Sequence, residues 1–442
     1  MARYLLAVSA IPGHVAPMVV VAEALRRRGH DVHVLTGAAF RAEVTARGLA
    51  MSALPVDAEV APVGSRRGPG AVRRWRIGRA ELRSVFLAPL AAQHAALVAA
   101  LARADFDVVL VDSMFTGAIP LLMSERPRPP VVVCGVGPLT LSSADCAPFG
   151  VGRPPWRERD HSRMNWFVRQ VLFRADQARL DTILHGHDLP SAPVFLLDWP
   201  RLADRLLQFT VPGFEYPRRD LPASVVFTGP IPSAFGADRE LPAWWSALDG
   251  QRLVVHVTQG TWDNRDLDQL LRPTLAALGG RSDVLIVAGT GGSPASVGPL
   301  PANAVACDFV PYSRLLPHVD VMITNGGYGG VQQVLRHGIP LIVAGDTADK
   351  PEVAARVAYT GAGINLGGAS PSPSAVAAAF DRIVRDNSFR AAAGRLAAEM
   401  ARHSPFETIT AVLDEVGLSA GTARRPVSAE SVIAIPQRGE TL

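Results

Sequence analysis

A glycine-dense turn between a predicted strand and a predicted helix carries the strongest chemical signal in the sequence. The strand is predicted at Val321–Thr324, and glycines follow it at 326, 327, 329 and 330. Glycine lets a backbone approach a ligand closely, because no Cβ lies between them. The first turn of a helix also offers unpaired N–H groups and the positive end of its dipole to an anion. The turn therefore suits a phosphate group, although a tight turn with nothing bound has the same pattern.

Two titratable residues follow predicted strands in the first half of the chain. His14 lies after a strand predicted at residues 4–9, and Asp112 ends an apolar run at residues 108–111. Imidazole can take the proton of an alcohol near neutral pH, and a bonded carboxylate can fix its tautomer and stabilise the imidazolium. Both residue types also have a structural alternative, since either can pack at or cap the start of a helix.

Alternating strand and helix signals surround these residues in both halves of the chain. Continuous runs of Val, Leu and Ile indicate parallel strands that are covered on both faces. The alternation stops in a proline-rich stretch and restarts near Leu253, which predicts an α/β protein with two doubly wound parallel-sheet domains facing a cleft. We predict domains at 1–216 and 242–420, a linker at 217–241 and a flexible tail at 421–442, with the last helix packing back on the first domain.

The composition is typical of a globular protein and excludes several classes. The 442 residues are 48% hydrophobic and 19% charged, and a net charge of only +4 does not indicate a nucleic-acid partner. Lys350 is the only lysine. Three scattered cysteines predict neither a disulfide framework nor a zinc site and fit a reducing cytoplasm. The apolar run at 86–104 is interrupted by Gln93 and His94, so it predicts a buried helix and no membrane span.

The order and spacing of several motifs resemble the family 1 glycosyltransferases of the GT-B fold, particularly the bacterial enzymes that decorate natural products. The first half carries Gly13-His14-Val15-Ala16-Pro17 and Arg28-Gly29-His30-Asp31-Val32. The second half carries Gly260-Thr261, Asp308-Phe309-Val310-Pro311, the glycine turn, and a segment from Gly338-Ile339-Pro340 through Asp349. The resemblance covers both halves and implies two Rossmann-like domains.

The same resemblance implies the roles of individual residues. His14 would deprotonate the acceptor hydroxyl, with Asp112 as its supporting carboxylate. A nucleotide diphosphate sugar would bind the second domain. The implied donor-binding residues are Thr261, Val310, Pro311, Asn325, Gly327, Gly329, Gly330, Asp349 and Lys350.

Several positions depart from the family's pattern at the implied donor site. Asn325 stands where histidine is usual, Gly330 where serine or threonine is usual, and Lys350 where glutamine is usual. Asparagine still donates a hydrogen bond, and the backbone N–H groups remain. We hypothesise that Lys350 restores positive charge near the donor; an exposed lysine is the alternative. Tyr312 replaces a glutamine found in many relatives, which leaves the identity of the base open.

Together these features predict an inverting glycosyltransferase. It would move a hexosyl or deoxyhexosyl group from a dTDP- or UDP-sugar to a hydroxyl of a small natural-product aglycone, as in antibiotic biosynthesis. The resemblance implies no metal and no cofactor besides the donor. We expect a cytoplasmic monomer or homodimer. Two alternatives stay open: a sugar-nucleotide epimerase on the same fold, and a non-catalytic helper subunit.

Overall fold

Two parallel sheets organise the part of the chain that is described. The computed structural model describes residues 1–60, 71–155, 160–233, 240–260, 264 and 266–422. Its strands are β1 (Arg3–Ala7), β2 (Asp31–Thr36), β3 (Ala50–Ala53), β4 (Val108–Asp112), β5 (Val131–Gly135), β6 (Arg205–Gln208), β7 (Val225–Phe227), β8 (Leu253–Thr258), β9 (Val284–Gly289), β10 (Ala304–Cys307), β11 (Val321–Thr324), β12 (Leu341–Val343) and β13 (Gly363–Asn365).

Helices connect most of these strands. They are α1 (Pro12–Arg27), α2 (Arg41–Ala46), α3 (Ala71–Leu82), α4 (Leu90–Arg103), α5 (Ala118–Met123), α6 (Ser162–Phe167), α7 (Arg174–His185), α8 (Leu271–Leu278), α9 (Tyr312–Leu315), α10 (Tyr328–Arg336), α11 (Lys350–Tyr359), α12 (Pro373–Arg385), α13 (Asn387–Met400) and α14 (Pro405–Thr422). The predicted alternation of strands and helices is therefore confirmed in both halves.

The strand order explains where a site can form. The seven-stranded sheet runs β3-β2-β1-β4-β5-β6-β7, and the six-stranded sheet runs β10-β9-β8-β11-β12-β13. In each sheet the order reverses beside the first strand of the domain, between β1 and β4 and between β8 and β11. Crevices open at the carboxyl ends of strands at such points. The predicted doubly wound architecture is confirmed.

Apolar clusters cover both faces of each sheet. Leu5 of β1 joins one cluster and its neighbour Leu6 joins the other. In the second sheet, Val254 and Val255 likewise point to opposite clusters. Because successive side chains of a strand alternate between faces, both faces must be apolar, which accounts for the uninterrupted Val, Leu and Ile runs.

The last helix, α14, crosses back to the first domain. Ile409, Val412, Leu413 and Val416 belong to the same buried cluster as Leu6 of β1. The helix contacts α1 and β4. Residues 423–442 lie outside the described residues, so the prediction for the tail falls largely outside them.

Three boundaries differ from the sequence-based expectations. The sequence pattern predicts a helix from Pro17 to Arg28, whereas α1 starts at Pro12. Proline fits the first helical position because its missing N–H is not needed there, and Pro17 then removes a single hydrogen bond. Strand β7 lies inside the range assigned to the linker and forms an edge of the first sheet, so that sheet extends past residue 216. The helical pattern predicted near residues 165–185 is interrupted at Phe173.

One helical stretch of the described chain, Trp75–Arg103, is long and apolar enough to cross a membrane. Core helices of globular proteins meet the same criterion. Leu90 and Leu97 of this stretch are fully buried in the apolar cluster beneath the first sheet. The stretch therefore supplies core residues, as the sequence predicted.

Candidate active site

His14 and Asp112 meet at the carboxyl ends of two neighbouring strands. His14 lies in the first turn of α1, and its Nδ1 is 2.7 Å from Oδ1 of Asp112, the last residue of β4. The histidine is 8% exposed and the aspartate is fully buried. When Nδ1 carries the proton and donates it to the carboxylate, Nε2 is left as a proton acceptor. The pair is thus arranged as an oriented base.

Backbone N–H groups fix the Asp112 carboxylate. Its Oδ2 accepts from the N–H of Ser9, and its Oδ1 accepts from the N–H of Met114 at 2.8 Å as well as from His14. Both oxygens are therefore occupied by donors. Asp112 does not cap the next helix, because α5 begins at Ala118 with Gly117 as its N-cap and has no side-chain cap bond. One carboxylate has enough lone pairs to accept from His14 and from both backbone N–H groups.

The glycine turn presents bare backbone at the start of α10. The Cβ positions of Gly327, Gly329 and Gly330 would meet no atom within 4 Å, so the first turn of the helix opens onto free space. Gly326 is different: its φ is +89°, and a Cβ there would lie 2.8 Å from Val343 Cγ1. Gly326 shapes the turn, and the other three leave open space beside the start of the helix.

Asn325 joins two loops of the second domain. Its Nδ2 donates to the carbonyl oxygen of Gln259, which follows β8, and the residue is 7% exposed. A Cβ atom added at Gly260 would lie 3.9 Å from Oδ1 of Asn325. One of its amide hydrogens is thus used inside the protein. Thr261, the next predicted donor-binding residue, lies outside the described residues.

Lys350 packs along the glycine turn. It is 9% exposed, and its Nζ lies 2.6 Å from Oγ1 of Thr347. A Cβ atom added at Gly326 would lie 3.8 Å from Cβ of Lys350, and one added at Gly345 would lie 3.0 Å from Cδ of Lys350. The alternative of an exposed lysine is therefore wrong, because the residue is buried and its Cβ and Cδ lie near the backbone of Gly326 and Gly345.

Asp349 faces the first domain. Its Oδ2 lies 3.7 Å from the Cβ position of Gly137, which follows β5. The carboxylate of Asp349 and the amine of Lys350 are consecutive at the start of α11. A carboxylate at this place can accept hydrogen bonds from hydroxyl groups of a ligand held between the domains.

The segment expected to hold a base is packed into the second domain. Val310 is buried, and Pro311 directly precedes α9. The Tyr312 ring meets the imidazole of His256 edge-on, with 5.6 Å between ring centroids. Burial lowers the pKa of His256 to about 4, so this histidine is neutral and structural; its Nδ1 pairs with the carbonyl of Val287. The sequence-based assignment of His256 to the core agrees with this geometry.

Sequence reasoning missed an ionic cluster buried between the two halves. Arg356 of α11 donates from Nε to Glu215 and from Nη1 to Glu352, both at 2.9 Å. All three side chains are at most 5% exposed. The i, i+4 spacing of Glu352 and Arg356 was a visible signal for one pair. Glu215 lies 141 residues away from Arg356, so no local pattern could find it.

A second set of polar contacts ties α10 to the first domain. The amide of Gln208, at the end of β6, donates to the hydroxyl of Tyr328, and the hydroxyl of Thr210 lies 2.8 Å from the side-chain carbonyl of Gln332. Helix α10, which follows the glycine turn, is therefore held against the first domain.

Metal ligation has no support among the described residues. They contain no group of three or more His, Cys, Asp or Glu side chains that could hold an ion. In the weak D-x-D motif at 105–107, Asp107 accepts the N–H of Arg3. Catalysis without a metal stays a prediction.

Comparison with known proteins gives consistent matches along the chain. Residues 272–415 match the family model of the erythromycin biosynthesis protein CIII-like C-terminal domain. The chain is 39% identical over 434 residues to 4'-demethylrebeccamycin synthase of Lentzea aerocolonigenes, covering 95% of this chain and 99% of that protein. It is 30% identical over 440 residues to UDP-glycosyltransferase 2 of Phaeomoniella chlamydospora, covering 93% and 95%.

Solved structures share the fold at lower identity. The calicheamicin glycosyltransferase CalG4 superposes with a TM-score of 0.71 at 20% identity, covering 94% of this chain and 98% of that one. The glycosyltransferase VinC, solved in complex with dTDP, superposes with a TM-score of 0.66 at 22% identity, covering 94% and 100%. These identities establish the two-domain architecture and no more.

Proposed function

The chain belongs to the family 1 glycosyltransferases of natural-product type, and from this premise we propose an inverting enzyme with His14 as its general base. The observation that carries the proposal is the bond of 2.7 Å between His14 Nδ1 and Asp112. It leaves Nε2 as the acceptor for a proton, at the crevice of the first sheet.

The proposed reaction has one displacement step. The acceptor hydroxyl gives its proton to Nε2 of His14 while its oxygen forms a bond to the anomeric carbon. The bond between that carbon and the diphosphate oxygen breaks, and the electron pair leaves with the diphosphate. Attack from the face opposite the leaving group inverts the anomeric configuration. Asp112 stabilises the imidazolium that forms.

The leaving diphosphate needs positive potential at the second domain. The open backbone at Gly327, Gly329 and Gly330 offers N–H groups at the start of α10, and preorganised donors of this kind stabilise developing charge. Lys350 adds the charge that Asn325 does not supply. Asp349 accepts from hydroxyl groups of the transferred sugar, and the backbone near Val310 and Pro311 packs against the base.

Relatives support the choice of substrates. VinC is named as a complex with dTDP, and several relatives by sequence are named UDP-glycosyltransferases or UDP-glucosyltransferases. We therefore propose a dTDP- or UDP-sugar as donor. The relative from Lentzea is named for making 4'-demethylrebeccamycin, which supports a small natural-product aglycone as acceptor. No specific observation favours an epimerase or a helper subunit.

Product analysis tests this function. The protein is incubated with dTDP- and UDP-sugars and with hydroxylated natural products, beginning with the aglycone of 4'-demethylrebeccamycin. We expect a new glycoside by mass spectrometry, and an anomeric configuration opposite to that of the donor by NMR. Retained configuration would contradict the inverting mechanism. Conversion of the donor without an acceptor would indicate the epimerase, and calorimetry that detects binding of neither dTDP nor UDP would indicate the helper subunit.

A further inference from the structure

A short loop of the first domain is seated on the start of α11. The N–H groups of Gly150 and Gly152 both donate to Oε1 of Glu352, at 2.8 Å and 2.7 Å. Both glycines have positive φ angles, +91° and +64°, which lets their N–H groups converge on one oxygen. A Cβ at Gly152 would lie 3.0 Å from Pro351 Cβ, so the loop fits here only without a side chain.

The second oxygen of Glu352 is also committed. Oε2 accepts from Arg356, and Arg356 donates in turn to Glu215, whose Oε1 accepts the N–H of Leu139 at 2.8 Å. The side chains of Glu352, Arg356 and Glu215 are 5%, 1% and 1% exposed. Removing one member of a buried charged group is costly, because it leaves its partner without compensation. The orientation of the Glu352 carboxylate is therefore fixed from both sides.

The loop and the cluster lie next to residues expected to bind the donor. Asp349 and Lys350 precede Glu352 by three and two positions at the start of α11. Gly137 faces Asp349, and Leu139, which is bonded to Glu215, follows it in the same segment after β5. Glu352 thus links the start of α11, which carries the proposed donor-binding residues Asp349 and Lys350, to the part of the first domain that lies opposite.

We propose that Glu352 is a positioning residue for glycosyl transfer. It contacts no substrate; it holds the loop 150–152 and the start of α11 as one unit, so that the acceptor side closes over the donor sugar and water is kept out. The inference rests on the proposed transferase function and adds a residue that determines how the donor is partitioned between acceptor and water.

Two variants disturb this contact from opposite sides. Glu352→Gln presents an amide N–H either to Arg356 or to the glycine N–H groups, so one set of bonds is lost. Gly152→Ala introduces a methyl group against Pro351 and leaves the charges in place. In both we expect the ratio of donor hydrolysis to glycoside formation to rise roughly tenfold or more, which corresponds to the loss of charge-assisted hydrogen bonds. The KM for the acceptor should rise, and the Kd for dTDP or UDP should change by less than about twofold.

Glu399→Gln is the matched control. Glu399 of α13 also accepts a glycine N–H from the other side of the domain boundary, that of Gly213 at 3.0 Å, but in an exposed position. In this variant we expect the same ratio of donor hydrolysis to glycoside formation as in the wild type. Thermal melts identify a variant that fails to fold, in which case the other variant decides.

The outcomes separate this inference from the proposed function. A wild-type protein that forms no glycoside contradicts the proposed function. Active wild type with unchanged partitioning in folded Glu352→Gln and Gly152→Ala overturns the positioning role alone. An equal shift in Glu399→Gln also overturns it, because general loosening of the boundary would then account for the effect.

Discussion

At the scale of single residues, the Asp112 carboxylate determines how His14 can act. It accepts from two backbone N–H groups in addition to the imidazole, so it has no freedom to turn away. A carboxylate held in this way selects the tautomer with the proton on Nδ1. In the proposed mechanism, Nε2 is therefore the nitrogen that accepts the proton, because Nδ1 is bonded to the carboxylate on the opposite side of the ring.

Replacing Asp112 tests this arrangement. In Asp112→Asn, the amide N–H would face the donors that now meet the carboxylate, and the imidazole would lose its partner. We expect kcat to fall by about 10³–10⁴-fold and the free energy of unfolding to fall by about 1–3 kcal/mol. Transfer kinetics and thermal melts measure the two effects.

Asp107→Asn provides the control for that variant. Asp107 directly precedes the same strand at its opposite end and also accepts a backbone N–H, that of Arg3, in an exposed position. Its kcat should match that of the wild type. Near-normal turnover in Asp112→Asn would remove Asp112 from the mechanism.

The single lysine gives a second prediction at this scale. Its Cβ and Cδ lie near Gly326 and Gly345, its Nζ bonds Thr347, and we propose that its charge stabilises the donor diphosphate. Lys350→Met should raise the KM for the donor roughly tenfold, because a charge-assisted bond to phosphate is lost. Lys350→Gln, which restores the residue usual in the family, is the control and should lose less.

Isotopic labelling of Lys350 tests the same hypothesis independently of enzyme kinetics. Lys350 is the only lysine, so reductive methylation with ¹³C-formaldehyde labels it and the amino terminus alone. The NMR signal of the labelled Lys350 side chain should shift when dTDP or UDP is added. Unchanged donor kinetics in Lys350→Met would contradict the hypothesis.

At the scale of elements, the glycines of the turn have two different structural roles. Gly326 has a left-handed backbone and no room for a Cβ, whereas Gly329 lies in the first turn of α10 with open space around its Cβ position. A helical glycine that could be alanine costs about 0.5–1 kcal/mol of stability. That cost is understandable if a ligand occupies the space.

Alanine at these two positions should therefore act in opposite ways. Gly326→Ala should lower the free energy of unfolding by about 1–3 kcal/mol, because φ is strained and Val343 is too close. Gly329→Ala should keep or raise the melting temperature and raise the donor KM. Thermal melts and donor kinetics on both variants check this, and a Gly329→Ala enzyme with wild-type donor KM would contradict a diphosphate at the turn.

Elements with strong local signals were the ones predicted correctly. Long apolar runs identified β4, β5, β8 and β9, because strands covered on both faces leave few polar positions. The three-residue strands β7 and β13 lie at sheet edges and are not fully buried, so they lack the continuous apolar run that marks the equally short β12. Pro17 misplaced the start of α1, since proline is usual at a helix start and Pro12 fits equally well.

At the scale of the whole molecule, several contacts hold the two domains in one arrangement. Helix α14 packs on the first sheet, Gln332 of α10 bonds Thr210, and Glu352 of α11 bonds the loop at Gly150 and Gly152. The predicted family, GT-B fold and enzyme class are confirmed by the relatives and by CalG4. The sequence analysis expected the return of the last helix to the first domain. The side-chain contacts between α10 or α11 and the first domain could not be predicted, because each joins residues far apart in sequence whose pairing depends on the tertiary fold.

The same contacts hold together the two domains that carry the predicted site residues. His14 and Asp112 belong to the first domain, on α1 and β4, whereas Asn325, Asp349 and Lys350 belong to the second, after β11 and at the start of α11. The sequence could place each beside a strand end, but whether they form one site, as we propose, depends on how the two sheets face each other. The side chains that connect the two domains, such as Glu215 and Arg356, have no local sequence pattern that predicts their pairing.

The most direct test of the account separates chemistry from binding at His14. Wild type, His14→Ala and the exposed-histidine control His185→Ala are compared by glycoside formation and by calorimetric titration with dTDP and UDP. We predict that His14→Ala loses at least about 10²–10⁴-fold in turnover, while its nucleotide affinity and the activity of His185→Ala stay at wild-type levels. Near-normal turnover by His14→Ala would contradict the assignment of the base and, with it, the proposed mechanism.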